Sequence, residues 1–182
     1  MKCEKCAGAR GLGNPDLLRH QDVMQFPGFI RAATANDIPA IDALLTAAFG
    51  GPEEAALVTA LRTTGAMRGE QVIPMGEGII GYYALSAMVA PAGWLCLAPV
   101  AIARDWQGRG HGRRLVAQLA AWAERTATPV VVLGKPGFYG KAGFSQDAAR
   151  NLTSPYPVDH TLLAGVGEAA PTVTLRYPAA FA

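Results

Sequence analysis

Long apolar runs, cysteines and an excess of one charge are all scarce in this 182-residue chain. No stretch of about 20 apolar residues occurs, which excludes a transmembrane helix. The start of the chain lacks the basic-then-apolar order of a secretory signal, so we expect a cytoplasmic location with no membrane contact. The formal net charge is only +2, a surplus too small to predict binding to nucleic acid or to an anionic membrane.

Only three cysteines are present, Cys3, Cys6 and Cys96. Cys96 lies in an apolar, strand-like segment, where a free cysteine behaves as a small buried hydrophobe. Cys3 and Cys6 form a C-x-x-C pair, but a structural zinc site needs four ligands and the second pair is missing. We therefore predict no metal site. The region 1–27 is predicted as a flexible tail because it shows little periodicity, and a single domain is predicted over 28–182.

Apolar residues make up 51% of the chain and charged residues 16%, which is typical of a globular domain with a core. Apolar spacing and turn residues predict the elements along the chain. They are a short strand at 29–32, helices over about 34–49 and 52–64, strands at 71–75, 79–89 and 94–102, a helix over 115–126, a strand at 130–133, one helical turn within 138–143 and a late strand at 173–177.

The order strand, loop, helix, strand over residues 94–133 predicts a crossover with a parallel strand pair. The hairpins before it make the sheet mixed. The predicted fold class is therefore α/β in three layers, with a mixed, mostly antiparallel twisted sheet and helices on both faces. Pro99 lacks a backbone donor for the ladder, so it predicts a bulge or a splayed edge in the strand over 94–102.

A glycine-rich turn with the sequence Q-G-R-G-H-G, residues 107–112, follows that strand and precedes a helix. Alternate glycines let the backbone bend tightly and approach a ligand. A turn at a helix start presents unpaired N–H groups at the positive end of the helix dipole, which favours phosphate or another anion. Arg109, Arg113 and Arg114 add positive charge. The same pattern also fits a plain basic turn in solvent.

Two known phosphate-binding turns match this sequence poorly. A P-loop ends in Gly-Lys-Ser/Thr, and the turn contains no lysine. A dinucleotide-binding turn has its third glycine three residues after the second, with an acidic residue about 20 positions further on. Here the third glycine comes two residues after the second. A nucleotide-binding module of the Rossmann type is therefore supported by the glycine spacing alone.

A second loop, residues 135–144, follows the strand predicted at 130–133. Ligands of open α/β sheets bind at the carboxyl ends of the strands, so we expect the two loops to face one crevice. If Pro99 forces the parallel strands apart, free N–H and C=O groups of the first strand become available to an extended ligand.

The spacing Gln-x-x-Gly-x-Gly, formed by Gln107, Gly110 and Gly112, resembles the pyrophosphate loop of the GNAT superfamily of acyl-CoA N-acyltransferases. The later sequence F-Y-G-K-A-G-F, residues 138–144, is similar to that family's aromatic and Gly-Phe motif. Together with L-G-K-P before it and P-Y-P-V after it, it resembles the YhbS-like branch. The similarity covers about residues 29–181.

The resemblance implies an enzyme that moves an acetyl group from acetyl-CoA directly to a primary amine of a small molecule or peptide, with no metal. A homodimer is a separate expectation, for which the sequence offers no motif. The resemblance also implies a sheet that opens between its fourth and fifth strands. Tyr139 would protonate the departing CoA thiolate. The implied cofactor-binding residues are the backbone of Val100, Ala101 and Ile102, the turn residues Gln107, Gly108, Arg109, Gly110, His111, Gly112 and Arg113, and also Phe138 and Lys141.

Two roles stay open at the level of sequence. Tyr139 also fits a core aromatic packed beside Phe138. No carboxylate stands on the strand over 94–102. Glu53 or Glu54 could reach the substrate side, but both also fit ordinary first-turn acids, and His160 is a lone histidine in a late loop. A water chain would serve equally well, so we assign no general base. The missing carboxylate leaves one alternative function, a non-catalytic module that binds or senses acyl-CoA on the same fold.

Overall fold

The structure, a computed structural model, describes residues 27–182. The predicted tail with Cys3 and Cys6 therefore lies outside the described residues, Pro27 excepted. In chain order, the strands and α-helices are β1 (Arg31–Ala32), α1 (Ile38–Phe49), α2 (Glu53–Thr63), β2 (Met67–Met75), β3 (Gly78–Ala87), β4 (Leu95–Ile102), α3 (His111–Thr126), β5 (Val130–Leu133), α4 (Pro136–Tyr139) and β6 (Thr161–Ala164).

The six strands form one sheet in the order β1-β2-β3-β4-β5-β6. In the part of the chain that the structure describes, only β4 and β5 run parallel, joined by α3, and all other neighbours are antiparallel. The predicted mixed sheet with one crossover is therefore confirmed. Within the described residues, none of the helices combines the length and the apolarity that crossing a bilayer requires.

Side chains alternate between the two faces of the sheet, and each face has its own core. Tyr83 and Leu85 of β3 pack on the face that α3 covers with Leu115 and Leu119. Tyr82 packs on the opposite face, beneath α1 and α2. That face is covered further along by the segment after β5, which buries the side chains of Cys96, Val131 and Leu163. The result is the predicted three-layer arrangement.

The chain enters α1 through a tightly bonded polar turn. Asp37 accepts hydrogen bonds from the Thr34 backbone N–H at 2.7 Å and from the Thr34 hydroxyl at 2.8 Å. Arg31 donates to both carboxylate oxygens of Asp37, at 2.7 and 2.8 Å. The Arg31 guanidinium holds the pKa of the Asp37 carboxyl well below its ordinary value. This turn fixes β1 relative to α1.

The strand β4 parts from β5 halfway along its length. Their parallel pairing runs from Leu95 with Val130 to Leu97 with Val132 and then stops. On its other side β4 stays paired with β3, but the register shifts between Leu97 and Val100, where Pro99 lies. Residues 98–102 thus have a free edge toward β5, which confirms the divergence that Pro99 predicts.

Four elements differ clearly from the sequence-based expectation. The helix α3 begins at His111 and the strand β2 at Met67, each four residues before the predicted start. The late strand predicted at 173–177 is wrong, because residues there form only isolated bridges, Thr174 with Thr153 and Arg176 with Ala90. The strand at the far edge of the sheet is β6 instead, in a segment for which the sequence predicts no element.

Candidate functional site

The glycine-rich turn adopts a backbone conformation that most residues avoid. Gly110 forms the N-cap of α3 with φ at 85°, and Gly108 has φ at 72°. Both values lie in the left-handed region, which carries little cost for glycine alone. A Cβ at either position would meet no atom within 4 Å. The turn therefore leaves open space over its backbone, as an approaching ligand requires.

The same turn presents main-chain donors without partners. The Arg114 N–H donates to the Gly110 carbonyl at 3.0 Å, which closes the first turn of α3. The N–H groups of residues 108–113 donate to no carbonyl or side chain within residues 27–182. The helix dipole places partial positive charge at these groups. The turn is therefore suited to an anion.

Two side chains brace the turn. The Gln107 side-chain Nε2 donates to the Ile102 carbonyl at 2.9 Å and so ties the turn to the last residue of β4. The Trp106 ring, just before the turn, packs against the core on the α3 face. The Gln107 side chain thus stabilises the turn by a hydrogen bond to β4.

A cavity of about 980 Å³ runs from this turn along the free edge of β4 to α4. Arg109 and Arg113 line one side, and Lys135 and Lys141 line the side formed by the loop after β5. Within residues 27–182, no carboxylate or histidine stands among the lining residues. The cavity therefore concentrates four positive charges, far more than the net charge of the whole chain suggests.

Tyr139 lies at the end of α4, where its ring is held by aromatic neighbours. The Phe138 ring lies edge-on at 4.9 Å between centroids, and the Phe144 ring at 6.0 Å. A Cβ at Gly134 would overlap the Tyr139 ring, so the ring can pack there only because residue 134 is glycine. Burial raises the pKa of Tyr139 to about 12. Its hydroxyl is therefore protonated at neutral pH and can donate a proton.

The cavity brings together most of the residues predicted from sequence. Those lining it are Val100, Ile102, Gln107, Gly108, Arg109, Gly110, Gly112, Arg113, Phe138, Tyr139 and Lys141. The side chains of Ala101 and His111 do not line it: Ala101 packs beneath α1 and α2, and the His111 ring packs edge-on against Trp106 at 5.4 Å. Glu53, Glu54 and His160 also lie outside the lining.

Sequence reasoning missed three lining residues, Trp106, Lys135 and Gly137. Lys135 follows Gly134 in the turn after β5. A lysine in a predicted ligand-binding loop is a signal from which it could have been predicted as a cofactor-binding residue. Trp106 stands one residue before the glycine-rich turn, but nothing in the sequence shows that its ring folds back over that turn.

Comparisons with known proteins agree with this architecture. A family model described as an acetyltransferase (GNAT) domain matches residues 67–146. The protein named Uncharacterized N-acetyltransferase YhbS, from Escherichia coli strain K12, is 35% identical over 133 residues, which cover 70% of this chain and 80% of that protein. These matches place the chain among N-acetyltransferases.

Two solved structures show the same fold. The GNAT family N-acetyltransferase YhbS from Escherichia coli, in complex with CoA, has a TM-score of 0.75 at 29% identity and covers 90% of this chain and 96% of its own. A GNAT family acetyltransferase from Brucella melitensis, in complex with acetyl-CoA, has a TM-score of 0.70 at 26% identity and covers 85% and 97%. The chain belongs to the GNAT family of N-acetyltransferases.

Proposed function

We propose that this protein transfers an acetyl group from acetyl-CoA to a primary amine of a small molecule or peptide, by direct attack. The observation that carries the proposal is the continuity of one basic cavity, from the donor-rich turn at residues 108–113 along the free edge of β4 to Tyr139. Solved relatives holding CoA and acetyl-CoA support it.

The cofactor is proposed to follow the cavity from end to end. The pyrophosphate binds the N–H groups of the turn at the start of α3, where Arg109 and Arg113 balance its charge. The pantetheine arm pairs with the backbone of residues 100–102, whose edge toward β5 carries no strand partner. Phe138 and Lys141 contact the cofactor from α4 and the residues just after it. Ala101 and His111 can contribute only through their backbone.

The proposed chemistry is one addition and one elimination. The neutral amine attacks the thioester carbon, and the oxygen gains charge that a backbone N–H of the β4 edge stabilises. The C–S bond then breaks, the thiolate takes the proton of Tyr139, and the phenol regains a proton from the ammonium group through solvent. Because the cavity lining holds no carboxylate or histidine, we propose that the amine loses its first proton to water.

An amine-panel assay tests this function. CoA thiol release from acetyl-CoA is followed across small amines, polyamines and peptides with a free N-terminus, with mass spectrometry of the products. We expect amine-dependent release and an acetylated product for at least one amine class. CoA binding without transfer to any amine would instead support the acyl-CoA sensing module. The cytoplasmic location and the homodimer stay predictions.

A further inference from the structure

Trp106 stands outside the family motif, yet it touches both sides of the left-handed glycine that opens α3. The Arg109 guanidinium carbon lies 5.0 Å from the centroid of the Trp106 ring. The His111 ring meets the same ring edge-on, with centroids 5.4 Å apart and an interplanar angle of 67°. Arg109 and His111 are the two neighbours of Gly110 in the chain. The Trp106 ring therefore contacts both residues that flank Gly110.

The turn has little else to fix its shape on that side. No backbone N–H of residues 108–113 is bonded within the described part of the chain, and Gly108 and Gly110 have open space where a side chain would pack. Trp106 itself is anchored, since its ring packs against the core beneath α3 and also lines the cavity. Because the Trp106 ring is held by the core, it can restrain the part of the turn that the Gln107 bond to Ile102 does not reach.

The Arg109 side chain gains the most from this contact. An exposed arginine samples many rotamers, and fixing one costs conformational entropy. A guanidinium over an aromatic face is attracted by the ring quadrupole, so Arg109 is held over the cavity before any ligand arrives. Partial burial, followed by the charges of Arg114 and Arg109, lowers the pKa of His111. The lowered pKa favours the neutral form of the His111 ring, which adds no charge repulsion to Arg109.

We propose that Trp106 is a positioning residue that holds Arg109 and the backbone of the turn ready for the CoA pyrophosphate. The proposal rests on the proposed function, because it assigns that part of the cofactor to the turn. Trp106 acts through Arg109 and His111 and itself need not touch the phosphates.

The test compares CoA with pantetheine, which lacks all phosphates, by isothermal titration calorimetry on the full chain. We expect Trp106→Leu to weaken CoA binding about fivefold, the worth of an exposed cation–π contact, and to leave pantetheine binding unchanged. Trp106→Phe, which keeps an aromatic face, restores most of the loss. Arg109→Leu gives a larger loss, because it also removes a direct charge on the pyrophosphate, and the double variant loses less than the sum of the two because Trp106 acts through Arg109.

Trp122→Leu is the matched control, since Trp122 is a partly exposed tryptophan on α3 that does not line the cavity. It should leave the binding of both ligands unchanged. Equal weakening of CoA and pantetheine by Trp106→Leu, or no weakening of CoA, overturns the positioning role while the proposed function stands. Failure of the unaltered protein to bind CoA overturns the proposed function and this role with it.

Discussion

The Tyr139 ring is enclosed by Phe138, Phe144 and the bare backbone of Gly134. Tyr139→Phe keeps the ring and removes the proposed acid, so kcat should fall by about a hundredfold. The Kd of CoA should stay nearly unchanged, since the hydroxyl is proposed to act on the leaving thiolate. Steady-state kinetics with calorimetry checks both values. Tyr156→Phe is the control, because its hydroxyl donates to the Phe181 carbonyl in the C-terminal segment, and an equal loss of kcat in both variants would contradict the role.

The protonation of Tyr139 sets a second expectation at the same scale. Because burial raises its pKa to about 12, the phenol keeps its proton up to about pH 10. The rate with a saturating amine should rise with pH as the amine loses its proton and then form a plateau, with no descending limb below that pH. A pH–kcat profile checks this, and a descending limb that disappears in Tyr139→Phe would show a lower pKa than the burial implies.

Asp37 gives a prediction about stability. Its pKa is depressed by Arg31, so its contribution is present above the ordinary carboxyl pKa and is lost as the pH falls below about 4. Asp37→Asn should lower the free energy of unfolding by about 1–2 kcal/mol at pH 7, and the difference should shrink in acid. Urea titrations check this. Asp147→Asn, whose ion pair with Arg150 is exposed, should change little, and an equal effect of the two variants contradicts the account.

At the scale of elements, the turn before α3 allows a matched pair of glycine substitutions. Gly110 and Gly93 have φ of 85° and 83°, and a Cβ at either meets nothing within 4 Å. Replacement by alanine should cost each protein about 1 kcal/mol of stability through left-handed strain. Only Gly110→Ala should also weaken CoA binding, since Gly93 lies in the turn before β4, away from the cavity. Calorimetry with thermal unfolding separates the two effects, and equal CoA affinity in the two variants would refute the proposed role of the turn.

The sequence predicts an element best where residues within that element determine its structure. Pro99 predicted the divergence of β4 from β5, and the β-branched run at residues 130–133 predicted β5 to the residue. The strand expected at 173–177 failed because Thr174 and Arg176 bridge to two different segments, which is too little pairing to build a ladder. The strand β6 is as short and as buried as β5, but its sequence Thr-Leu-Leu-Ala lacks the β-branched run that marks β5, so the sequence shows no strand signal there.

For the site as well, features formed by residues adjacent in sequence were predictable, and contacts between distant segments were not. The turn at residues 107–112 was predictable because its glycines and its helix are adjacent in sequence. Lys135 joins Arg109 only when the loops after β4 and β5 converge, and the ring of Trp106 covers the turn only in three dimensions. Contacts between segments that are distant in the chain are set by packing, which a single sequence does not display.

At the scale of the whole molecule, charge is distributed unevenly. The net charge is +2, yet four cationic side chains and no carboxylate line one cavity. CoA binding should therefore weaken as salt is raised from about 0.05 M to 0.5 M, because ions screen the charged phosphates. Pantetheine, which is uncharged, should show no such dependence. Titrations across this range check the prediction, and equal salt dependence for the two ligands would contradict it.

The central claim is that the donor-rich turn between β4 and α3 binds the phosphates of CoA. The most direct test is the ratio of the dissociation constants of CoA and pantetheine for the unaltered protein, measured by calorimetry at low salt. The account predicts that CoA binds in the micromolar range and that pantetheine binds at least about tenfold more weakly, a difference of about 1.4 kcal/mol. Equal affinities, or no heat with CoA at millimolar concentration, would contradict it.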